Sequence, residues 1–267
     1  MSEAQIREAI VEVGRRLYAR GLISGNEGNI SVRDGEALLI TPAGVCKGFL
    51  NPESIVRADL HGRNVAGGGR VSTETQMHTA IYARRPDVAA VVHAHPPVAT
   101  AFAVAGIPLD RPLIAEAVVT LGNVPVVPYG TPSTQELAAN VAGAICDAHA
   151  LLLANHGALA VGDGIWRAWE RMETLEQLAR ISLATRLLGQ TNPLPEAAVE
   201  RLAGLRAAAG YPPPVCGVCG RPATPEMRGA PAPGPAGAPV SDSVTLSRDE
   251  LIRLVSEAVA RFGARQT

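Results

Sequence analysis

Between Tyr211 and Val240 the chain carries nine prolines and five glycines, a density that neither a helix nor a central strand tolerates. Any sizeable core must therefore be built from residues 1–211. Residues 212–245 read as a Pro/Gly-rich flexible linker. Beyond them, 246–267 return to a helical pattern, with Ser247 and Glu250 at capping-box spacing. Leu251, Ile252, Val255, Val259 and Phe262 repeat there at helical intervals and form an apolar stripe.

Within 1–211 the pattern alternates between the two periods. Residues 1–22 predict an amphipathic helix, and "SGNEGNISVR" a Gly/Asn turn entering a strand. "ALLIT", "ESIVRADLHG", "VPVVPY" and "ALLLANHGALAVG" predict further strands. Helices are expected at "STETQMHTAIYARRP", "TQELAANVAGAICDA", Ile165–Leu188 and 195–209. This mixture predicts an α/β fold, a sheet flanked by helices.

One strand carries the chemistry. The run Val88–Val92 is short, apolar and bounded by "RPD" and "PP". It delivers His93 and His95 to its end, and residues i and i+2 on a strand share a face. Two imidazoles side by side are either hydrogen-bonded structural histidines or two ligands of a divalent metal. His156, at the end of "ALLLANHG", is the best third ligand, and three neutral imidazoles leave an open position as in catalytic zinc sites. Glu74 opens the helix before the histidine strand, where it is either a first-turn acid or the group that moves a proton. "GNEGN" and the "ST" of Ser72–Thr73 both offer backbone N–H groups beside small polar side chains, a nest able to hold phosphate without Lys or Arg. His78 reads as packing, and His61 and His149, in polar turns, as solvated.

Composition excludes several classes. The chain has 267 residues, 47% of them hydrophobic, and a formal charge of −1, so no basic footprint for nucleic acid is expected. No apolar run reaches the ~18 residues of a membrane span. The N-terminal helix lacks the features of a signal peptide. Four cysteines do not resemble a disulfide framework, which predicts a reduced, cytoplasmic protein. Cys216 and Cys219 form a C-x-x-C motif without a second ligand pair. They read as two surface thiols, with an inter-subunit or metal-cluster role as the alternative.

"GNEGNISVR", "LITPAG", "STE", "HAH" and "NHG" together resemble the class II aldolase/adducin family, and specifically its L-fuculose-phosphate aldolase branch, over residues 5–211. The resemblance implies a central, mostly antiparallel sheet with helices on both faces, and a cyclic homotetramer. It implies one zinc ion per chain on His93, His95 and His156, with Glu74 as catalytic acid/base. Phosphate would lie on Gly28, Asn29, Gly44, Ser72 and Thr73. The implied activity is that of an aldehyde-lyase cleaving a ketose 1-phosphate to dihydroxyacetone phosphate and an aldehyde such as lactaldehyde. Decarboxylation, dehydration and 4-epimerisation are the related alternatives, and a non-catalytic adducin-like module is the third. Ala43, Pro112 and Pro132 depart from the fuculose-phosphate pattern at a phosphate hydroxyl and at the aldehyde end. Glu74, where the epimerases carry aspartate, favours carbon–carbon cleavage. The linker and terminal helix resemble the encapsulation peptides that dock enzymes to bacterial microcompartment shell proteins.

Overall fold

The computed structural model describes residues 1–67 and 69–217. In chain order the elements are α1 (Glu3–Ala19), β1 (Asn29–Asp34), β2 (Ala37–Ile40), β3 (Val56–Asp59), β4 (Asn64–Ala66), α2 (Thr75–Arg84) and β5 (Ala90–Ala94). There follow α3 (Pro97–Val104), α4 (Ala115–Thr120), β6 (Val126–Val127), α5 (Gln135–Ala144), β7 (Ala150–Leu153), β8 (Gly157–Gly162), α6 (Ile165–Leu187) and α7 (Glu196–Leu205). The strands form one sheet in the order β4-β3-β2-β1-β5-β8-β7-β6. Every pairing is antiparallel except β6 with β7. The α/β class and the mostly antiparallel sheet agree with the sequence.

The histidine strand lies mid-sheet, where alternation assigns each side chain a face. Ala90, Val92 and Ala94 of β5 pack with Ala158 and Ala160 of β8 against Leu175, Leu178 and Ala179 of α6 and Phe102 of α3. Val91, Leu159 and Val161 pack on the other face against Met77 and Ile81 of α2 and Leu137 and Val141 of α5. His93 belongs by parity to this second face, beneath the start of α2. Both faces of β5 are covered, which is why its sequence is a continuous apolar run.

The elements α3 and α4 have no counterpart in the sequence reading. Two prolines, Pro96 and Pro97, look like a break, yet Pro97 is the first helical residue of α3, where a missing N–H costs nothing and its φ suits the helix. The orphaned N–H groups of that first turn are met from another helix. Glu176 of α6, itself buried, accepts from Val98 N at 3.2 Å and Ala99 N at 2.9 Å.

Two side chains near the end of the described region correct the sequence expectations. His149 is buried, not solvated; its burial, then the charges of Arg171, Arg85 and Arg206, push its pKa down to about 2. Cys216 is not a surface thiol. It is buried, and its sulfur meets that of Cys146 in a disulfide, with the two Cα atoms 4.9 Å apart. Cys46 is the free cysteine among the described residues. Cys219, most of the predicted linker and the 246–267 helix lie outside the described residues.

Candidate active site

Several segments converge on one open cleft of roughly 690 Å³. The turn into β1 contributes Gly28 and Asn29, the segment leading into α2 contributes Ser72, Thr73 and Glu74, and the ends of β5 and β7 contribute His95 and His156. Gly44 completes the wall, and His93 lies fully buried just behind it. All nine residues singled out in the sequence thus gather in one place.

The local reasons are specific. Gly28 has φ +73, and a Cβ there would come within 2.7 Å of the His93 carbonyl oxygen, so only glycine lets the turn run this close to β5. Asn29 then pairs directly with His93 across the β1–β5 ladder. His156 ends the tight β7–β8 turn, which needs Asn155 at φ 55, a conformation asparagine tolerates better than most residues. His95 follows His93 on the same face, its N–H donating to Leu22 O at 3.0 Å.

The three imidazoles stack edge to face with ring centroids 4.8 to 5.0 Å apart. His93 Nδ1 donates to the Ala158 carbonyl oxygen at 2.9 Å, which leaves the Nε2 lone pair facing the cluster. That Nε2 lies 3.2 Å from His95 Nε2 and 3.3 Å from Glu74 Oε2. Glu74 Oε1 lies 3.2 Å from His156 Nε2 and yet, like His156 Nδ1, has no hydrogen-bond partner. One ligand atom from each histidine lies within 4.8 Å of the others. Lone pairs from three imidazoles and a buried carboxylate oxygen without a partner fit a divalent metal ion. The nitrogen set by itself also suits several transition metals.

Glu74 is the N-cap residue of α2 by backbone position, but its side chain makes no capping bond. It is held by Asn29 instead, whose Nδ2 donates to Glu74 Oε2 at 2.7 Å and to Ser72 Oγ at 3.0 Å. Burial opposes ionisation of Glu74, but when His93 and His156 are protonated their charges and hydrogen bonds outweigh it and hold the carboxyl well below the usual range. Burial, then the charges of the other two histidines, lowers His95 to about 4.

Behind Asn29 runs a buried hydrogen-bond chain that the sequence reading missed. Tyr82 OH meets Ser31 Oγ at 2.7 Å, Ser31 Oγ meets His78 Nδ1 at 2.6 Å, and His78 Nε2 meets Asn29 Oδ1. Because Asn29 Nδ2 must donate to Glu74, its Oδ1 accepts, so His78 carries its proton on Nε2 and accepts from Ser31. Burial, then the charge of His93, keeps His78 neutral with a pKa of about 3. His78 is packed as expected, and it also orients Asn29 toward the carboxylate.

Two cations also line the cleft. Lys47, almost wholly buried, reaches under the turn to donate to the Asn26 carbonyl oxygen, and Arg70 stands at the wall near Ser72. The sequence reading had supposed a phosphate nest without Lys or Arg. Burial lowers the Lys47 pKa, with opposing help from Cys46, Glu27 and Glu74. The available signal was "GVCKGF" immediately after Gly44.

The sequence profile described as Class II Aldolase and Adducin N-terminal domain matches residues 8–183. A 5-deoxy-D-ribulose 1-phosphate aldolase of Bacillus thuringiensis serovar kurstaki is 36% identical over 200 residues, covering 74% of this chain and 93% of that enzyme. A 3-oxo-tetronate 4-phosphate decarboxylase of Escherichia coli O6:H1 is 35% identical over 185 residues, covering 67% of this chain and 86% of the relative. A solved L-fuculose 1-phosphate aldolase superposes with a TM-score of 0.73 at 31% identity, covering 79% of this chain and 99% of that structure.

Proposed function

The chain belongs to the class II aldolase and adducin family as a lyase, and we propose that it is a zinc-dependent aldolase acting on a ketose 1-phosphate of the fuculose, rhamnulose or deoxypentulose type. Its products are dihydroxyacetone phosphate and an aldehyde such as lactaldehyde. The observation that carries this reading is the convergence of His93, His95, His156 and the Glu74 carboxylate at one cleft that Gly28, Asn29, Gly44, Ser72 and Thr73 also line.

In this reading His93, His95 and His156 hold the ion. When bound, zinc polarises the substrate carbonyl and takes up the charge that develops as the carbon–carbon bond breaks. The backbone of Gly28 and Gly44, the Asn29 amide and the hydroxyls of Ser72 and Thr73 bind the phosphate, with Lys47 and Arg70 supplying positive charge. Asn29 aims Glu74, and Glu74 moves the proton at the carbon that becomes part of dihydroxyacetone phosphate. Substrate anchored through its phosphate presents that carbon to a carboxylate that is already oriented.

The relative that decarboxylates a 3-oxo-tetronate 4-phosphate supports a second reading in which the same residues release carbon dioxide. One experiment separates the two. The zinc-loaded protein is offered a panel of ketose 1-phosphates and 3-oxo acid phosphates, and dihydroxyacetone phosphate and carbon dioxide are both measured. Dihydroxyacetone phosphate from any ketose 1-phosphate supports the aldolase reading; carbon dioxide from a 3-oxo acid phosphate, with no dihydroxyacetone phosphate from any ketose 1-phosphate, overturns it. Glu74→Gln should lower kcat by ~10²–10⁴ while leaving the metal bound, and normal turnover would remove Glu74 from the mechanism.

The reading extends to assembly as a homotetramer in the cytoplasm, and to docking of residues 246–267 on microcompartment shell proteins. Its support is the apolar stripe Leu251, Ile252, Val255, Val259 and Phe262 behind a Pro/Gly-rich stretch. No helix among the described residues is long and apolar enough to cross a membrane. Deleting 241–267 should spare activity and abolish shell binding; a truncated chain that still binds shell proteins would refute the docking.

A further inference from the structure

Behind Glu74 and the phosphate nest stand three buried polar side chains that touch neither ion nor substrate in the proposed chemistry: Ser31, His78 and Tyr82. Asn29 and Ser31 lie two apart on β1, so they share the sheet face that carries His93. His78 and Tyr82 lie four apart on α2, so they share one side of that helix. The strand pair and the helix pair interlock through hydrogen bonds.

The direction of each bond follows from the two ends of the chain. Burial pushes the Tyr82 phenol pKa up, so its proton stays in place. At the other end Glu74 Oε2 is a carboxylate oxygen, so Asn29 Nδ2 donates to it. Asn29 Oδ1 then accepts from His78 Nε2, His78 Nδ1 accepts from Ser31 Oγ, and Ser31 Oγ accepts from Tyr82. The second proton on Asn29 Nδ2 goes to Ser72 Oγ at 3.0 Å. Both protons of the Asn29 side chain are thus committed within the protein, and none is left for a substrate anion.

Ser72 is where this chain meets the cleft. Its Oγ accepts from Asn29 Nδ2 and from Glu74 N at 3.3 Å, which uses both lone pairs. Its one proton must be donated elsewhere, and no acceptor for it is present among the described residues. Ser72 lines the cleft together with Thr73 and Arg70. A phosphate oxygen, which only accepts, suits such a hydroxyl.

We infer that Tyr82, Ser31, His78 and Asn29 are positioning residues that couple the phosphate end of the cleft to the Glu74 carboxylate. With one proton the Asn29 amide holds Glu74, and with the other it turns the Ser72 hydroxyl toward phosphate. A substrate without phosphate leaves the Ser72 proton without an acceptor, and Asn29 then holds Glu74 less firmly. Phosphate is therefore read in the step that moves the proton as well as in binding. Asn29 acts on phosphate through Ser72, and any direct contact is left to its main chain. The inference rests on the phosphate assignment in the proposed function, but not on which bond is cleaved.

Its first test uses inorganic phosphate and needs no turnover. Phosphate is titrated by calorimetry into the full chain loaded with zinc. Ser72→Ala should weaken binding about 10-fold, the worth of one hydrogen bond to a charged group. His78 does not line the cleft, yet His78→Leu should weaken phosphate binding ~3–10-fold while the ion stays bound. His78→Gln should restore it, because its amide can still donate to Asn29 Oδ1. Ser72→Ala/His78→Leu should bind no worse than Ser72→Ala alone, since both changes break one network. On whichever substrate the panel identifies, kcat should fall at least ~10-fold in His78→Leu and recover in His78→Gln. In the unmutated chain, nitrogen-15 NMR of labelled histidine should show His78 neutral with its proton on Nε2, a readout that needs no variant to fold. Phosphate binding by His78→Leu equal to the parent's, losses that multiply in the double variant, or a proton on His78 Nδ1 would each overturn the inference. The aldolase reading fails on a different measurement, the absence of dihydroxyacetone phosphate from the ketose panel while phosphate binding and its double-variant cycle stand.

Discussion

Replacing Gly157 with alanine would add a single methyl group beneath the histidine cluster. The new Cβ would stand 2.6 Å from His95 Cδ2, 3.2 Å from His95 Nε2 and 2.7 Å from the Ala94 carbonyl oxygen. Carbon contacts settle near ~3.5–4.0 Å, so one neighbour must retreat by about 1 Å. The Ala94 carbonyl cannot, because Ala94 faces Ala158 in the central β5–β8 ladder. The His95 ring must move instead. Zinc–nitrogen bonds are ~2.0–2.1 Å long and tolerate ~0.2 Å of error, so a ligand displaced by about 1 Å leaves the coordination sphere. Metal affinity should fall at least ~10–100-fold, and overpacking should cost the metal-free fold ~1–3 kcal/mol. Each tenfold loss of affinity also removes about 1.4 kcal/mol of metal-dependent stabilisation. Competition against a chromogenic chelator gives the affinity, and melts with and without zinc separate the two effects. Gly143→Ala is the control: nothing lies within 4 Å of its Cβ position in α5, so it should be neutral or slightly stabilising. A Gly157→Ala protein that binds zinc as tightly as the parent would refute the steric reasoning and the role of His95 as a ligand.

Two other perturbations test the frame around the site. Glu176→Ala strips the acceptor from Val98 N and Ala99 N at the start of α3 and should cost ~1–3 kcal/mol in urea denaturation; a cost near zero would mean that water replaces it freely. Glu27 accepts from Ser24 Oγ at 2.6 Å and Gly25 N at 2.8 Å. Burial works against its charge, but these donors together with the Ser24 N–H lower its pKa from 4.5 to about 2. Because the folded value is depressed, its contribution is complete above the ordinary carboxylate range and fades as pH falls from 4.5 toward about 2. The stability gap between the parent and Glu27→Gln should therefore be larger at neutral pH than at pH ~3, and a gap that widens on acidification would reverse the assignment.

What could be read from the sequence was whatever depends on short-range pattern. His93 and His95 share a face because a strand has period two, and Glu74 precedes a helix whose cap residues are local. His156 is nominated because it too ends an apolar strand, and the resemblance implies the same three ligands. The errors have a common physical origin in burial by distant residues. "DAHA" looks like a wet turn, but Arg85 and Pro212, both distant in sequence, bond to Ala148 and His149 within it. Lys47, which no local pattern marks, is buried and bonds to Asn26 on a turn distant in sequence. The chain from Tyr82 through Ser31 and His78 to Asn29 joins β1 to α2, and no sequence period relates those two elements. Pro97 hid α3 because a proline both breaks and begins helices.

The mid-sheet position of β5 also bears on how the protein is made. Its two ladder partners are β1, far upstream, and β8, far downstream, so neither pairing is local and both must wait for loop closure. During synthesis from the N-terminus, His93 and His95 emerge well before His156 and β8. A nascent chain can therefore offer two imidazoles early but the full set only after the β7–β8 hairpin has joined the sheet. On the proposed assignment of the three histidines as ligands, tight metal capture becomes a late event that reports completion of the central sheet, and an ion held only by the finished fold opposes its reopening.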